Sequence, residues 1–256
     1  MANELEQKLK LVRDVNRITG QEIIQQLFHQ VLELHGDRIN HDDPALFSGI
    51  ALFENQPVTI LSVDRGTSLT ERIEKNGGAV RASGYRKALR SVELAEKFNR
   101  PVISFLNMPG ADASLESENE GQSLMIAKMI AKMGQLKVPN LAVFIGEGHS
   151  GGALAFANSN RIVMFENGLF SVASPEAMSA ILRKETVSEV VPMTAGKLQK
   201  MGLVDQIIKE DQDVISQVNT AIKTWLDDFN NLSSNELIKQ RTEKFAHVLA
   251  YWDKMD

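Results

Sequence analysis

The sequence contains no cysteine. That absence excludes thiolate catalysis, CxxC redox chemistry and a cysteine-ligated zinc within the chain, and it suits a reducing compartment. Long apolar runs are missing as well, since no window approaches the roughly 18 uninterrupted apolar residues of a membrane span. The opening stretch MANELEQKLKLVRD carries acids and has no apolar core, so no export signal is expected. Nor is there an excess of positive charge. With 33 acids against 28 bases the net charge is −5, which argues against a dedicated nucleic-acid surface, because neutralising phosphates needs a basic patch. No low-complexity linker divides the chain. The expectation is a soluble, cytoplasmic, globular protein whose 256 residues, 43% of them hydrophobic, build a substantial core without metal or disulfide staples.

Periodicity then gives the organisation. Residues 19–36 read as a helix: Thr19 and Glu22 have capping-box spacing, and Ile23, Ile24, Leu27, Phe28, Val31 and Leu34 recur at helical period. Strands are expected over Phe47–Phe53 and Val58–Val63, joined by a turn at 54–56, followed by a long Gly-rich loop over 64–83. A helix over 85–98 leads into a strand at Val102–Leu106; a loop (108–119), a helix (121–135) and a strand (Leu141–Ile145) repeat the pattern. Asn167-Gly168, between apolar runs Arg161–Phe165 and Leu169–Ala173, predicts a hairpin. Pro175 sits where a first-turn helix proline belongs, and helices are expected over 211–228 and 234–251, the latter behind a Ser233/Glu236 capping box.

The sharpest local signal is Ile145-Gly146-Glu147-Gly148-His149-Ser150-Gly151-Gly152-Ala153, a glycine-rich turn from a strand into a helix. Unpaired N–H groups at a helix start carry the positive end of the dipole and favour an anion or oxyanion. Three chemistries use that physics. Gly146, Gly148 and Gly151 fit a dinucleotide GxGxxG with Glu166 as ribose acid, although the helix is short for a crossover. Gly148-His149-Ser150-Gly151-Gly152 fits a serine-hydrolase or thioesterase elbow, with Asp205 and His247 following in order. In acyl-thioester chemistry the glycine N–H groups stabilise an enolate-like or ureido oxyanion with no side-chain nucleophile. A plain packing turn is the remaining reading.

Wider matches are more specific. Gly84-Tyr85-Arg86-Lys87-Ala88-Leu89-Arg90, Leu94 to Val102, His35-Gly36-Asp37-Arg38, Pro109-Gly110-Ala111, Glu120-Gly121-Gln122, the glycine turn, Ser174-Pro175-Glu176 and Gly202-Leu203-Val204-Asp205 occur in order. This series, from about residue 19 to 210, resembles the α subunit of bacterial acetyl-coenzyme A carboxylase carboxyltransferase. The resemblance implies an α/β crotonase-like spiral of repeated β-β-α units over 45–210, within one domain spanning 1–256 that has an N-terminal helical segment (1–40) and C-terminal helices (211–256). It also implies transfer of a carboxyl group from carboxybiotin, presented by a biotin carboxyl carrier protein, to acetyl-CoA, giving malonyl-CoA for fatty-acid synthesis. A β subunit carrying the zinc would complete an α2β2 assembly that works with biotin carboxylase; no metal or covalent cofactor is expected in this chain. Carried over, Gly151 and Gly152 supply the oxyanion donors; Gly148, His149, Gly110 and Ala111 lie against substrate or biotin. Arg86, Lys87 and Arg90 are available as CoA-phosphate contacts, or else form a solvated helix face.

The departures fall near that chemistry. After Ala111 the family usually has an aromatic, then Pro-Gly and a run ending Glu-Glu-Arg-Gly-Gln, where this chain has Asp112-Ala113-Ser114-Leu115-Glu116-Ser117-Glu118-Asn119-Glu120. An aromatic becomes a carboxylate and an arginine becomes Glu120, reversing the local field. Glycine is also common where His149 and Ala177 stand, and tryptophan where Arg183 stands. An alternative reading follows, in which the chain is a diverged, weakly active or structural paralogue of that subunit.

Overall fold

The apolar runs of the middle of the chain become strands buried on both faces. The computed structural model describes residues 4–39, 41–183 and 191–252. Its main sheet has seven strands in the order β1 (Phe28–Glu33), β2 (Leu46–Phe53), β3 (Gln56–Val63), β4 (Val102–Leu106), β5 (Asn140–Phe144), β7 (Arg161–Phe165) and β9 (Gln206–Ile208). The first three pair antiparallel and the rest parallel. A second, two-stranded sheet pairs β6 (Glu147–His149) with β8 (Leu169–Ser171). Parallel strands need both faces covered, and here alternate side chains serve two cores. Leu61, Val102, Leu106, Ala142, Phe144 and Ile162 pack under α4 (Ala82–Lys97), α6 (Gln122–Gly134) and α7 (Ser150–Ala157). Ile60, Ile103, Phe105, Leu141, Val143 and Val163 pack under α2 (Gly20–Leu27) and α10 (Val214–Phe229), whose Trp225 is fully buried.

Shorter elements complete the chain: α1 (Glu4–Val12), α3 (Leu69–Glu74), α5 (Leu115–Asn119), α8 (Pro175–Leu182), α9 (Ala195–Lys200) and α11 (Ser234–Trp252). The strand–strand–helix unit recurs as β5–β6–α7 and β7–β8–α8, with the second strand of each unit in the small sheet. No helix among the described residues is long and apolar enough to cross a membrane.

Several sequence expectations need correction. The helix expected over 19–36 keeps its Thr19–Glu22 capping box but ends at Leu27. From Phe28 the chain runs as edge strand β1, pairing with β2 and leaving Val31 and Leu32 exposed. Backbone pairing and the packing of Phe28 against Phe53 and Phe105 outweigh the helical spacing there. The Asn167-Gly168 hairpin does not form: Gly168 N–H still closes a turn on Phe165 O at 2.8 Å, but the chain then crosses to pair β8 with β6 in parallel. The 64–83 loop holds α3, capped by its own Ser68–Glu71 box, and the 108–119 loop holds α5. Strands β6 and β9 were not expected.

The buried cation Arg241 helps to pin the last helix. Arg241 donates from Nη1 to Asn140 Oδ1 (3.1 Å) and Asn160 Oδ1 (2.5 Å), and from Nη2 to Leu136 O. Asn140 and Asn160, at the starts of β5 and β7, also bond each other's backbone. Burial pulls the Arg241 guanidinium down to about 10, so it stays charged at neutral pH. Arg241→Ala removes these three buried, charge-assisted hydrogen bonds and should lower stability by about 1–3 kcal/mol in urea unfolding. A change below about 0.5 kcal/mol, the size usual for surface substitutions, would contradict this account of α11.

Candidate active site

Two stretches of backbone meet beyond the ends of β4 and β5. Ile145 and Gly146 N–H groups donate to Leu106 O at 2.9 and 3.3 Å, and Met108 N–H donates to Glu147 O at 2.7 Å. Glu147 N–H donates to Asn107 Oδ1 at 3.3 Å. The chain then runs through β6 into α7. His149 is the N-cap with extended backbone, Ser150 takes φ 63°, and no side chain caps the helix. The N–H groups of Ser150, Gly151 and Gly152 therefore begin a helix without intrahelical partners.

Gly152 brings this helix start against the other stretch. A Cβ there would lie 2.6 Å from Ala111 N and 2.8 Å from Tyr85 Oη, so a side chain is excluded by backbone. Ala111 is bridged to Val80, and Asp112 N–H donates to Val80 O at 2.9 Å. The Ala111 N–H itself makes no hydrogen bond among the described residues. Tyr85 Oη is likewise buried without a partner, and burial pushes its phenol well up. Gly151 is less constrained, since a Cβ there would meet Ile126 Cγ2 at an ordinary 3.4 Å. It borders a cavity of about 500 Å³ whose walls include Leu154, Phe170, Val172, Leu198, Met201 and Leu203. Bare amide donors at the positive end of a helix, opening on an apolar space, are suited to holding a developing oxyanion.

A buried ionic group lies behind these donors. The Glu147 side chain is 1% exposed and pairs with Arg13 and with Arg65 Nη1 (3.3 Å). His149, also buried, has Nε2 at 3.3 Å from Glu147 Oε2 and Nδ1 at 2.9 Å from Ser171 Oγ. Burial alone would raise the Glu147 carboxyl, but hydrogen bonds from His149 and Arg13 and the charges of Arg65 and Arg13 hold it down at about 2. Sequence reasoning missed Glu147, Arg13, Arg65 and Tyr85. The one available signal was an acid between two glycines in an otherwise apolar strand–helix junction.

The residues singled out from sequence have these positions. Gly151, Gly152, Gly110 and Ala111 converge as described, with Gly110 at φ 130°. Gly148 packs on the Phe144 ring, where a Cβ would come to 2.3 Å of Cε1. The three cations on α4 all have internal partners. Arg86 binds Asp37 Oδ2 (2.8 Å) and Glu120 Oε2 (2.9 Å), the buried Lys87 binds Asp42 Oδ1 and Asp43 O, and Arg90 binds His35 O and Gly36 O. They brace the 35–43 loop. Asp112 accepts from Ser114 Oγ (2.5 Å) and Ser117 Oγ (2.7 Å); burial pushes its carboxyl up, but these bonds bring it below the usual range. Glu120 is neutralised by Arg86. Ala177 N–H is capped by Ser174 Oγ, and Arg183 ends α8 in the left-handed region.

Neither competing motif assembles. The exposed Ser150 has no hydrogen bond to a histidine or an acid among the described residues: Asp205 accepts from Ile162 N–H and Lys244, and His247 donates to Glu243 O from an exposed face of α11. Glu166 binds Lys209 and the Glu210 N–H rather than ending a strand that feeds a helix.

The paired sheets and the uncapped glycine helix start define a crotonase-like α/β protein, and comparison with known structures agrees. Transcarboxylase 12S with hydrolysed methylmalonyl-coenzyme A superposes with a TM-score of 0.71 at 17% identity, over 90% of this chain and 44% of that one. This chain thus spans under half the length of that protein. A Pseudomonas malonate decarboxylase hetero-tetramer in complex with coenzyme A gives 0.67 at 16% identity, over 85% and 93%. Such identities speak for fold alone. Sequence comparison goes further: residues 3–249 match the family described as acetyl co-enzyme A carboxylase carboxyltransferase-like. The acetyl-coenzyme A carboxylase carboxyl transferase subunit alpha of Streptococcus thermophilus is 39% identical over 246 residues, covering 93% of this chain and 96% of that protein. That of Oceanobacillus iheyensis is 40% identical over 254 residues, covering 94% and 80%. The chain belongs to this carboxyltransferase α-subunit family.

The Glu147 geometry carries a pH signature. Its folded pKa, about 2, lies below the ordinary 4.5, so its stabilisation is complete above about pH 4.5 and lost as pH falls toward 2. Glu147→Gln should be less stable than the parent by on the order of 2–3 kcal/mol at pH 7, with the gap narrowing below pH 4.5. Urea unfolding across pH 3–7 measures it (roughly the range where linkage acts), and a gap independent of pH would contradict the assignment.

Proposed function

We propose that this chain is the α half of a carboxyltransferase that moves a carboxyl group from carboxybiotin, on a carrier protein, to acetyl-CoA, giving malonyl-CoA. The observation that carries the reading is the uncapped first turn of α7, where Gly151 borders an apolar cavity and Gly152 lies against the free Ala111 N–H, while Ser150 has no histidine or acid bonded to it among the described residues. When bound, biotin supplies the carboxyl group and a ureido base for the acetyl methyl proton. The residues here suit such a group, an apolar ring system ending in one polar oxygen, because an apolar wall and a few main-chain donors are what it requires.

What remains for the protein is positioning and electrostatics. The Gly151 and Gly152 N–H groups would hold the ureido oxygen, and the Ala111 N–H would add a donor from the facing stretch. Because these dipoles are fixed before the reaction, no reorganisation accompanies the build-up of charge. Leu154, Phe170 and Met201 give the cavity an apolar wall that lowers the local dielectric, which strengthens each hydrogen bond. A second oxygen, on the thioester, needs its own donors from a β subunit in an α2β2 assembly, with biotin carboxylase charging the carrier in the cytoplasm. The 112–120 segment is compatible with an active subunit: Asp112 is hydrogen-bonded by Ser114 and Ser117, and the carboxylate of Glu120 is ion-paired with Arg86.

Gly151→Val tests this directly, since its Cβ is accommodated while its methyl groups cover the donors. In a complex rebuilt with β subunit, carrier and biotin carboxylase, malonyl-CoA formation should fall about 10²–10³-fold, the loss typical of one oxyanion donor, with assembly and unfolding midpoint unchanged. Unaltered turnover would overturn the proposal.

A further inference from the structure

We propose that Glu147 is a positioning residue for the amide donors and that Arg13, 134 positions away in sequence, holds it in place. The inference rests on the reading of Gly151 and Gly152 given above. Glu147 touches both donor stretches. Its carbonyl and N–H bind Met108 and Asn107 at the root of the Gly110–Ala111 stretch. Its carboxylate reaches His149, the N-cap of α7, whose other ring nitrogen meets Ser171 on the neighbouring strand β8. The carboxylate is not among the walls of the apolar cavity, so it acts on substrate only through the backbone it fixes.

Arg13 extends this control to the segment around α1. Its guanidinium joins Glu147 and, at 2.6 Å, Glu176 in the first turn of α8. Lys8 donates to Glu166 O (3.0 Å) and Arg17 to Ile145 O (2.7 Å), so three basic residues of one segment grip the strand ends around the glycine turn. Leu5 and Val12 seat the segment on Leu169, Met178 and Met193. The link through His149 is a property of this chain, because a glycine at 149 has no ring to carry it.

The test is a double-mutant cycle in the rebuilt complex. Arg13→Met, at a partly exposed site, should lower kcat about tenfold with KM unchanged, as expected when donors are misaimed rather than binding lost, and Arg13→Lys should restore much of it. Glu147→Gln should behave as Arg13→Met does. In the Gly151→Val background the Arg13→Met loss should vanish, because donors already blocked cannot be further misaimed. A damaged Gly151→Val enzyme with Arg13→Met within twofold of wild type, or an equal Arg13→Met loss in both backgrounds, overturns this assignment alone. A silent Gly151→Val variant overturns the underlying reading and this assignment with it.

Discussion

The approach of two backbones at Gly152, closer than a methyl group permits, is the constraint on which the arrangement depends. With Ala111 N only 2.6 Å from where a Cβ would stand, the first turn of α7 and the Gly110–Ala111 stretch can present their N–H groups side by side. Glycine at 152 is therefore required by close contact, whereas glycine at 151 leaves the mouth of the cavity open. These are different demands on adjacent residues, and both suit the proposed chemistry, which uses main-chain dipoles in place of a nucleophile. Close packing of the sheets behind them keeps those dipoles fixed.

Charge is used here as scaffold. Buried carboxylates are costly unless paired, and Glu147 is compensated by two arginines and a histidine drawn from three separate parts of the chain. Lys87 and Asp42 do the same for the 35–43 loop, and Arg86 ties that loop to Glu120. The outcome is a site whose surrounding charges are mostly satisfied internally. The carboxylate of Glu120 finds its counter-charge on α4, in Arg86.

Much of the fold was legible because local chemistry and burial agree. The Thr19 and Ser233 capping boxes, the first-turn Pro175 and the apolar runs 102–106 and 161–165 all occur where spacing places them. The glycine turn was legible as a junction from strand to helix. What failed depended on distant partners. Phe28–Glu33 has helical spacing but lies beside β2, and Asn167-Gly168 has hairpin chemistry but lies beside β6. The α4 cations looked free because Asp37, Asp42 and Glu120 are remote in sequence. Arg13 and Glu147 were invisible for the same reason: no periodicity relates residues 134 positions apart.

The central claim is that a main-chain hydrogen, and nothing on a side chain, meets the transient negative oxygen. Replacing Gly151 by glycolate in the intact chain turns that amide into an ester and deletes the N–H while adding no atoms in the cavity. The account predicts a fall in kcat of about a hundredfold or more in the assembled enzyme, with KM for acetyl-CoA nearly unchanged. Turnover within about threefold of the parent, less than ~1 kcal/mol of barrier, would contradict it.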